Sequence, residues 1–231
     1  MRTYDLAIPS QLSAALLPDL LFMGGAMALL LWAVWRRESA AHQRNVGVLS
    51  IGLCVATLIA VVMMMFQRGV ATDGPIAVDN FRWMTDVIIL LGTIGAIALG
   101  IDDNDRVGTT TAETHVLILL ASSGMMLLAA ARDLMIVFLG IELMSISVYA
   151  LAGMNRRSER SAEGALKYFL LGAFSTAFLL YGIALVYGAT GTTGLHQIGL
   201  RVAQQELFSS PLLLIGIAMR SKEHTSELQS R

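Results

Sequence analysis

Apolar residues along this chain come in blocks of about twenty with short polar segments between them, not in the 3.6- or 2-residue alternation of elements half-buried in water. Six blocks predict membrane-spanning helices: Ala14 to Trp35, Val46 to Phe66, Trp83 to Gly100, Thr114 to Ala131, Leu134 to Gly153 and Ala162 to Gly188. The first is too long for the apolar part of a signal peptide, and no cleavage site follows it. It carries Pro18 and Asp19 in its first turns and Trp32 and Trp35 at a membrane interface. Asp19 is either a wet residue at the helix mouth or part of a polar path. In the second block, Gly47, Gly52 and Ala56 suit close helix packing in lipid.

The connections follow the same pattern. A polar hairpin over 67–82 holds the turn residues Asp73, Gly74 and Pro75, and a solvated loop over 102–113 holds Asp102, Asp103 and Asp105. That acidic cluster lacks the glycine at its sixth position that a calcium loop requires, so Glu113 at the twelfth is a coincidence of spacing. Only Arg132 and Asp133 separate the fourth and fifth blocks, which makes them a tight antiparallel hairpin. After the sixth come a glycine-rich loop, an amphipathic stretch to Phe208 and a seventh apolar run, Leu207 to Met219. The unbroken part of that run, Leu212 to Met219, gives about 12 Å of helix against a hydrocarbon core of roughly 30 Å. Residues 220–231, RSKEHTSELQSR, have no apolar periodicity and read as a non-native tail, like the translation of a sequencing adapter. The predicted fold is therefore all-α, a polytopic transmembrane bundle of six complete helices and a truncated seventh over 1–219.

Composition agrees with this pattern. Hydrophobic residues make up 55% of the 231, charged residues 14%, and the mean hydropathy is +0.67. A net charge of -1 leaves no basic surface for nucleic acid. The single cysteine, Cys54, can form neither an internal disulfide nor a thiolate metal cluster, and reads as a small apolar residue. Arg36, Arg37, Arg44, Arg106, Arg156, Arg157 and Arg160 follow the odd-numbered helices, while Arg2, Arg68, Arg82, Arg132 and Arg201 lie on the other side. This seven-to-five bias, with its two clusters of three, places the N-terminus outside and the loop 154–162 in the cytoplasm.

Against this apolar background, Glu142 stands out. It is the ninth residue of its block, within roughly 2 Å of mid-depth, where a central Asp, Lys or Arg costs about 2.5 to 3.5 kcal/mol on insertion scales and marks a functional position by default. Ser145 and Tyr149, three and seven residues on, share its face. The bland alternative is a protonated carboxyl that pins helices together. On the sixth block, Lys167 either snorkels to the surface or acts in a proton relay, and Glu163 precedes it by four residues in the favoured order for an ion pair. Small residues Gly164, Gly172 and Ala173 let neighbouring helices approach. Glu142, Lys167 and Glu163 are expected to form an acid-base chain bridged by side chains and one water.

The strings VFLGIELMSISVYALAG at 137–153 and EGALKYFLLGAFSTAFLLYGIALVYGATG at 163–191 resemble the N subunit of bacterial respiratory complex I, the proton-pumping NADH-quinone oxidoreductase. The resemblance extends weakly to LLPDLLF at 16–22 and covers most of 14–219. It implies the first part of an antiporter-like inverted-repeat fold, and a subunit of an oxidoreductase that supplies part of a proton path without being catalytic by itself. By resemblance, Glu142 matches the family's fifth-helix glutamate, Lys167 a sixth-helix lysine, and Glu113 an acidic residue at the start of the fourth helix, all proton-path positions. It also implies other complex I membrane subunits as partners, and a multi-pass location in a bacterial inner membrane. No cofactor or metal is expected on this chain, with NADH, flavin, iron-sulfur clusters and quinone on other subunits. The family's further lysines and second repeat lie beyond the last residue, so the chain reads as a fragment. Two alternatives stay open: a subunit of a multi-subunit sodium/proton antiporter or membrane-bound hydrogenase, and a membrane scaffold without an ion path.

Overall fold

The computed structural model describes residues 3–4, 6, 8–35, 39–67, 70–71, 74–107, 111–155, 158–204 and 214–216. The expected non-native tail and most of the seventh apolar run lie outside the described residues. Among the described residues, the helices in order are α1 (Pro9–Ala15), α2 (Leu17–Trp35), α3 (Ala40–Phe66), α4 (Asn80–Val107), α5 (Ala112–Ala130), α6 (Leu134–Ala152), α7 (Glu159–Thr190) and α8 (Leu195–Gln204). Six of them, α2 to α7, are long and apolar enough to cross a membrane, as the block pattern predicts.

The helix ends differ from the predicted blocks for identifiable reasons. Pro9, at a first helical position where its missing N–H costs nothing, starts a separate short α1 that ends at Leu16, just before α2. α3 starts at Ala40, six residues earlier than its apolar block, because the Ser39 side chain accepts a hydrogen bond from His42 N at 3.1 Å. α4 begins at Asn80, with Asp79 accepting from Arg82 N at 2.9 Å, and continues to Val107. Asp102, Asp103 and Asp105 are thus helical rather than loop residues, and Arg82, read as part of the hairpin, lies inside α4. Ser158 caps α7, which starts three residues ahead of its block. Gly191 ends α7 with φ 68°, a left-handed conformation that suits a residue without Cβ. The amphipathic stretch is α8, whose Arg201 guanidinium donates back to the Thr190 carbonyl at the end of α7. One small departure from an all-α chain is a parallel pairing of Thr3–Tyr4 (β1) with Val70–Ala71 (β2).

α2, α3, α4 and α5 pack as a bundle around Phe22, Cys54, Val61, Leu90, Ile97, Leu119 and Met126, all fully buried. α6 lies along α5 and carries α7 on its other side. α5 and α6 touch backbone to backbone. A Cβ placed on Gly124 would sit 2.6 Å from Met144 N and 2.7 Å from Gly140 O, and one on Gly140 would sit 3.0 Å from Gly124 O. Small residues here let the helices approach, as is usual where lipid supplies no hydrophobic drive between them. Because the obstructing atoms are main chain, Gly124→Leu is expected to force α5 and α6 apart and destabilise the protein by about 3 kcal/mol or more. Thermal melting in detergent checks this; a melting curve unchanged from wild type would contradict it.

At one face of the bundle the connections are stitched together. Ala77 N donates to Ala130 O at 2.7 Å, Arg132 N to Pro75 O at 2.9 Å, Leu134 N to Thr193 O at 2.9 Å, and Leu195 N to Arg132 O at 2.9 Å. Asp133 caps α6 through Met135 N at 2.8 Å and accepts from the Thr193 hydroxyl at 2.6 Å. Arg132 pairs with Asp79 at 3.5 Å. This stitched face fixes the end of α6, and so the depth of Glu142.

Candidate functional site

Glu142 sits next to the midpoint of the 19-residue α6, half-buried, and its side chain makes no hydrogen bond or ion pair among the described residues. Its neighbours of sequence expectation, Ser145 and Tyr149, are half-buried further along α6. Tyr149 reaches α7: its hydroxyl occupies the space that a Cβ on Gly172 would need, 1.9 Å away, and its ring meets Phe169 edge-on with centroids 6.3 Å apart. Gly172 is thus the gap through which a phenol touches the neighbouring backbone.

Lys167 Nζ donates to Glu163 Oε1 at 2.5 Å, the ion pair that the four-residue spacing predicts. Both side chains are exposed on the α7 surface, 73% and 65%. In water such a pair would contribute little to stability.

The expected direct chain from Glu142 to Lys167 is not formed. Gly153 packs against the Cβ of Ala165, at 3.1 Å from its own would-be Cβ, which sets the antiparallel register of α6 and α7. In that register Glu142 is level with Thr176, nine residues or about 14 Å along α7 from Lys167. One water cannot span this. Tyr149 lies between the two levels, so the order by depth along α6 and α7 is Glu142, Tyr149, Lys167, Glu163; Lys167 and Glu163 sit on the other side of α7 from Phe169 and Gly172, the residues that meet Tyr149. Glu113 is half-buried in the first turn of α5, on the face opposite the stitched one. A cavity of about 620 Å³ opens at the stitched face beside Arg132, Asp133, Thr192 and His196. Its nearest lining residue on that side, Asp133, is about 14 Å along α6 from Glu142, and the cavity is lined by none of Glu142, Tyr149, Lys167 and Glu163.

The arrangement supplies, across half the thickness of a membrane, a carboxyl, a phenol, an ammonium and a second carboxyl on adjoining helices. The family described as NADH:quinone oxidoreductase/Mrp antiporter, TM, matches residues 131–223, a region that contains all four groups. The NADH-quinone oxidoreductase subunit N of Gemmatimonas aurantiaca is 49% identical over 214 residues, covering 89% of this chain and 41% of that protein. The subunit N of Trichlorobacter lovleyi is 40% identical over 206 residues, again covering 41% of its length. This chain belongs to the NADH-quinone oxidoreductase subunit N family. It spans about two fifths of the length of the curated relatives it matches. A chain of respiratory complex I from Thermus thermophilus, solved with bound aureothin, superposes with a TM-score of 0.64 at 29% identity, covering 87% of this chain and 43% of that one.

A second polar cluster was not read from the sequence. Arg82 on α4 is fully buried, pairs with Asp19 on α2, donates through Nη1 to Ala77 O at 2.8 Å and stacks 4.4 Å from the Trp83 ring centre. Asp86, one turn further along α4, is fully buried with Oδ2 3.7 Å from Arg82 Nε. Asp19 is therefore a buried ion-pair partner rather than a wet residue at a helix mouth. The signal was present in the sequence as Arg82 and Asp86 at helical spacing, but Arg82 borders a polar hairpin, and its partner lies 63 positions away.

Proposed function

We propose that the chain is part of a membrane subunit of a proton-pumping NADH-quinone oxidoreductase and supplies part of a proton path along α6 and α7. The observation that carries this reading is the position of Glu142 in the middle of an apolar spanning helix, followed by depth along α6 and α7 by Tyr149, Lys167 and Glu163. Each of these groups can bind or release a proton, or relay one by a hydroxyl. Glu113, at the opposite face, is an entry or exit position.

A lysine and glutamate exposed on α7 at the edge of the hydrocarbon region need cover, because charged groups inside membrane proteins face other helices or water rather than lipid. Sister membrane subunits and the remainder of the family's length supply that cover. The energy comes from redox chemistry elsewhere in the complex: NADH, flavin, iron-sulfur clusters and quinone belong to other subunits. The location is a bacterial inner membrane, with the N-terminus and the stitched face outside and the 154–162 loop in the cytoplasm, as the arginine bias favours.

Lys167 gives a sharp test. Arginine keeps a cationic head on a long stem but does not lose its proton in a protein. In the full-length protein within its complex, Lys167→Arg is expected to lower quinone-coupled proton pumping by roughly tenfold or more, as does loss of a positioned proton-transfer group. Acidification of inverted membrane vesicles reads this directly. Pumping that stays near normal in both Lys167→Arg and Lys167→Ala would return Lys167 to a snorkelling role.

A further inference from the structure

The buried polar groups that lack a partner are not on α6 or α7. Among the described residues, every fully buried side-chain oxygen or nitrogen without a hydrogen-bond partner lies in the α2–α5 bundle: Asp19 Oδ1, Ser50 Oγ, Thr57 Oγ1, Arg82 Nε, both oxygens of Asp86, His115 Nδ1 and the cap residue Thr111. Buried polar atoms are rarely left without partners, and water is the usual one when the chain supplies none.

These groups form a ladder. The His115 ring is wedged between α3 and α4, with Nε2 3.2 Å from where a Cβ of Gly47 would be and Cε1 3.5 Å from where a Cβ of Gly100 would be. Two turns towards the stitched face, the Thr93 hydroxyl on α4 meets the Ser122 hydroxyl on α5 at 2.6 Å. From the level of His115, a helical rise of 1.5 Å per residue places Ser50 about 5 Å along, Thr93 and Ser122 about 10 Å, Thr57 about 15 Å and Asp86 about 21 Å. Each step is close to the length of two hydrogen bonds through one water, roughly 5.5 Å.

Charge at the end of the ladder is uneven. Arg82 and Asp19 neutralise each other, and Asp86 is a second carboxyl in the same buried cluster. The other titratable groups on the packed helices are His42, Arg44 and Cys54 on α3, Asp102, Asp103, Asp105 and Arg106 on α4, and Glu113 and His115 on α5; α3 from Ser50 to Phe66 and α5 from Val116 to Ala130 carry no charged residue. Asp79 and Arg132 at the rim pair with each other. Among the described residues no second cation pairs with an ionised Asp86, and the neighbouring arginine would repel a metal cation. The neutral acid is the form that this pocket stabilises.

We propose that Asp86 is a buried proton-binding site, connected to His115 by a single file of water molecules through the α2–α5 bundle, separate from Glu142 and Lys167 on α6 and α7. The proton resides on an Asp86 oxygen and is donated to the nearest water of the file.

Infrared spectroscopy of the full-length protein in its membrane complex tests this without reading pumping. At neutral pH a protonated-carboxyl stretch is expected that disappears in Asp86→Asn, moves in frequency in Asp86→Glu and persists in Glu142→Gln. It should disappear in Asp19→Asn as well, because Asp86 then becomes the only partner of Arg82 and ionises. Transfer to heavy water should shift the band, and Thr57→Val should slow that shift roughly tenfold, the factor given by one lost hydrogen bond. Absence of any Asp86-dependent band overturns the proton site, as does a band that sodium ions remove. A band that heavy water never shifts overturns the water file.

Discussion

Replacing Arg82 by leucine is expected to cost the protein its fold. Arg82 is fully buried, and among the described residues its guanidinium is the only cation paired with Asp19 and Asp86. Removing one member of a buried charge pair typically costs about 3 to 5 kcal/mol, since the surviving charge has lost both water and partner. Here two carboxyls are stranded, the Ala77 carbonyl loses its 2.8 Å donor, and the stacking on Trp83 is gone. Against a total stability of about 5 to 15 kcal/mol, such a loss prevents accumulation or lowers the melting temperature sharply. Arg82→Lys should be intermediate, keeping the charge but losing the planar fork that reaches Asp19, Asp86 and Ala77 together. The measurement is the amount of folded protein in membranes and its melting in detergent. Wild-type levels and melting for Arg82→Leu would show that the cluster contributes nothing to stability.

Glu142→Gln is expected to leave the fold intact and remove the chemistry. The substitution keeps shape and hydrogen-bonding capacity, and Glu142 makes no ion pair whose loss would strand a partner. It does remove the ability to change protonation, which a relay group at mid-membrane must have. Coupled quinone reduction and proton pumping should both fall by roughly tenfold or more. Glu142→Asp retains the carboxyl on a stem one methylene shorter and should keep part of both. Full quinone reduction and full pumping by an assembled Glu142→Gln complex would leave Glu142 as a packing residue.

Much of this was legible in the sequence, and the limits have physical causes. Six spans could be read because crossing a hydrocarbon core demands about twenty apolar residues, a signal hard to mimic. Helix ends outside that core carry no such signal. α4 therefore runs on through Asp102, Asp103 and Asp105, and α3 begins at Ala40 under a serine cap, where hydropathy marks only loop. Glu142 at mid-depth and the Glu163–Lys167 pair were visible because both depend on spacing within one helix. The 14 Å offset between Glu142 and Lys167, with Tyr149 between them, depends on how α7 returns along α6, and spacing within either helix says nothing of that. The Asp19–Arg82–Asp86 cluster escaped for a related reason: a charged residue beside a turn looks solvated until the helix that buries it is known.

The central claim, that protons pass by way of Glu142, is tested most directly by the number of protons moved per electron in vesicles containing the complex with the full-length protein. The account predicts a lower proton-to-electron ratio, or no coupled turnover at all, in Glu142→Gln, with Glu142→Asp between it and wild type. A wild-type ratio at wild-type turnover in assembled Glu142→Gln complexes would contradict it.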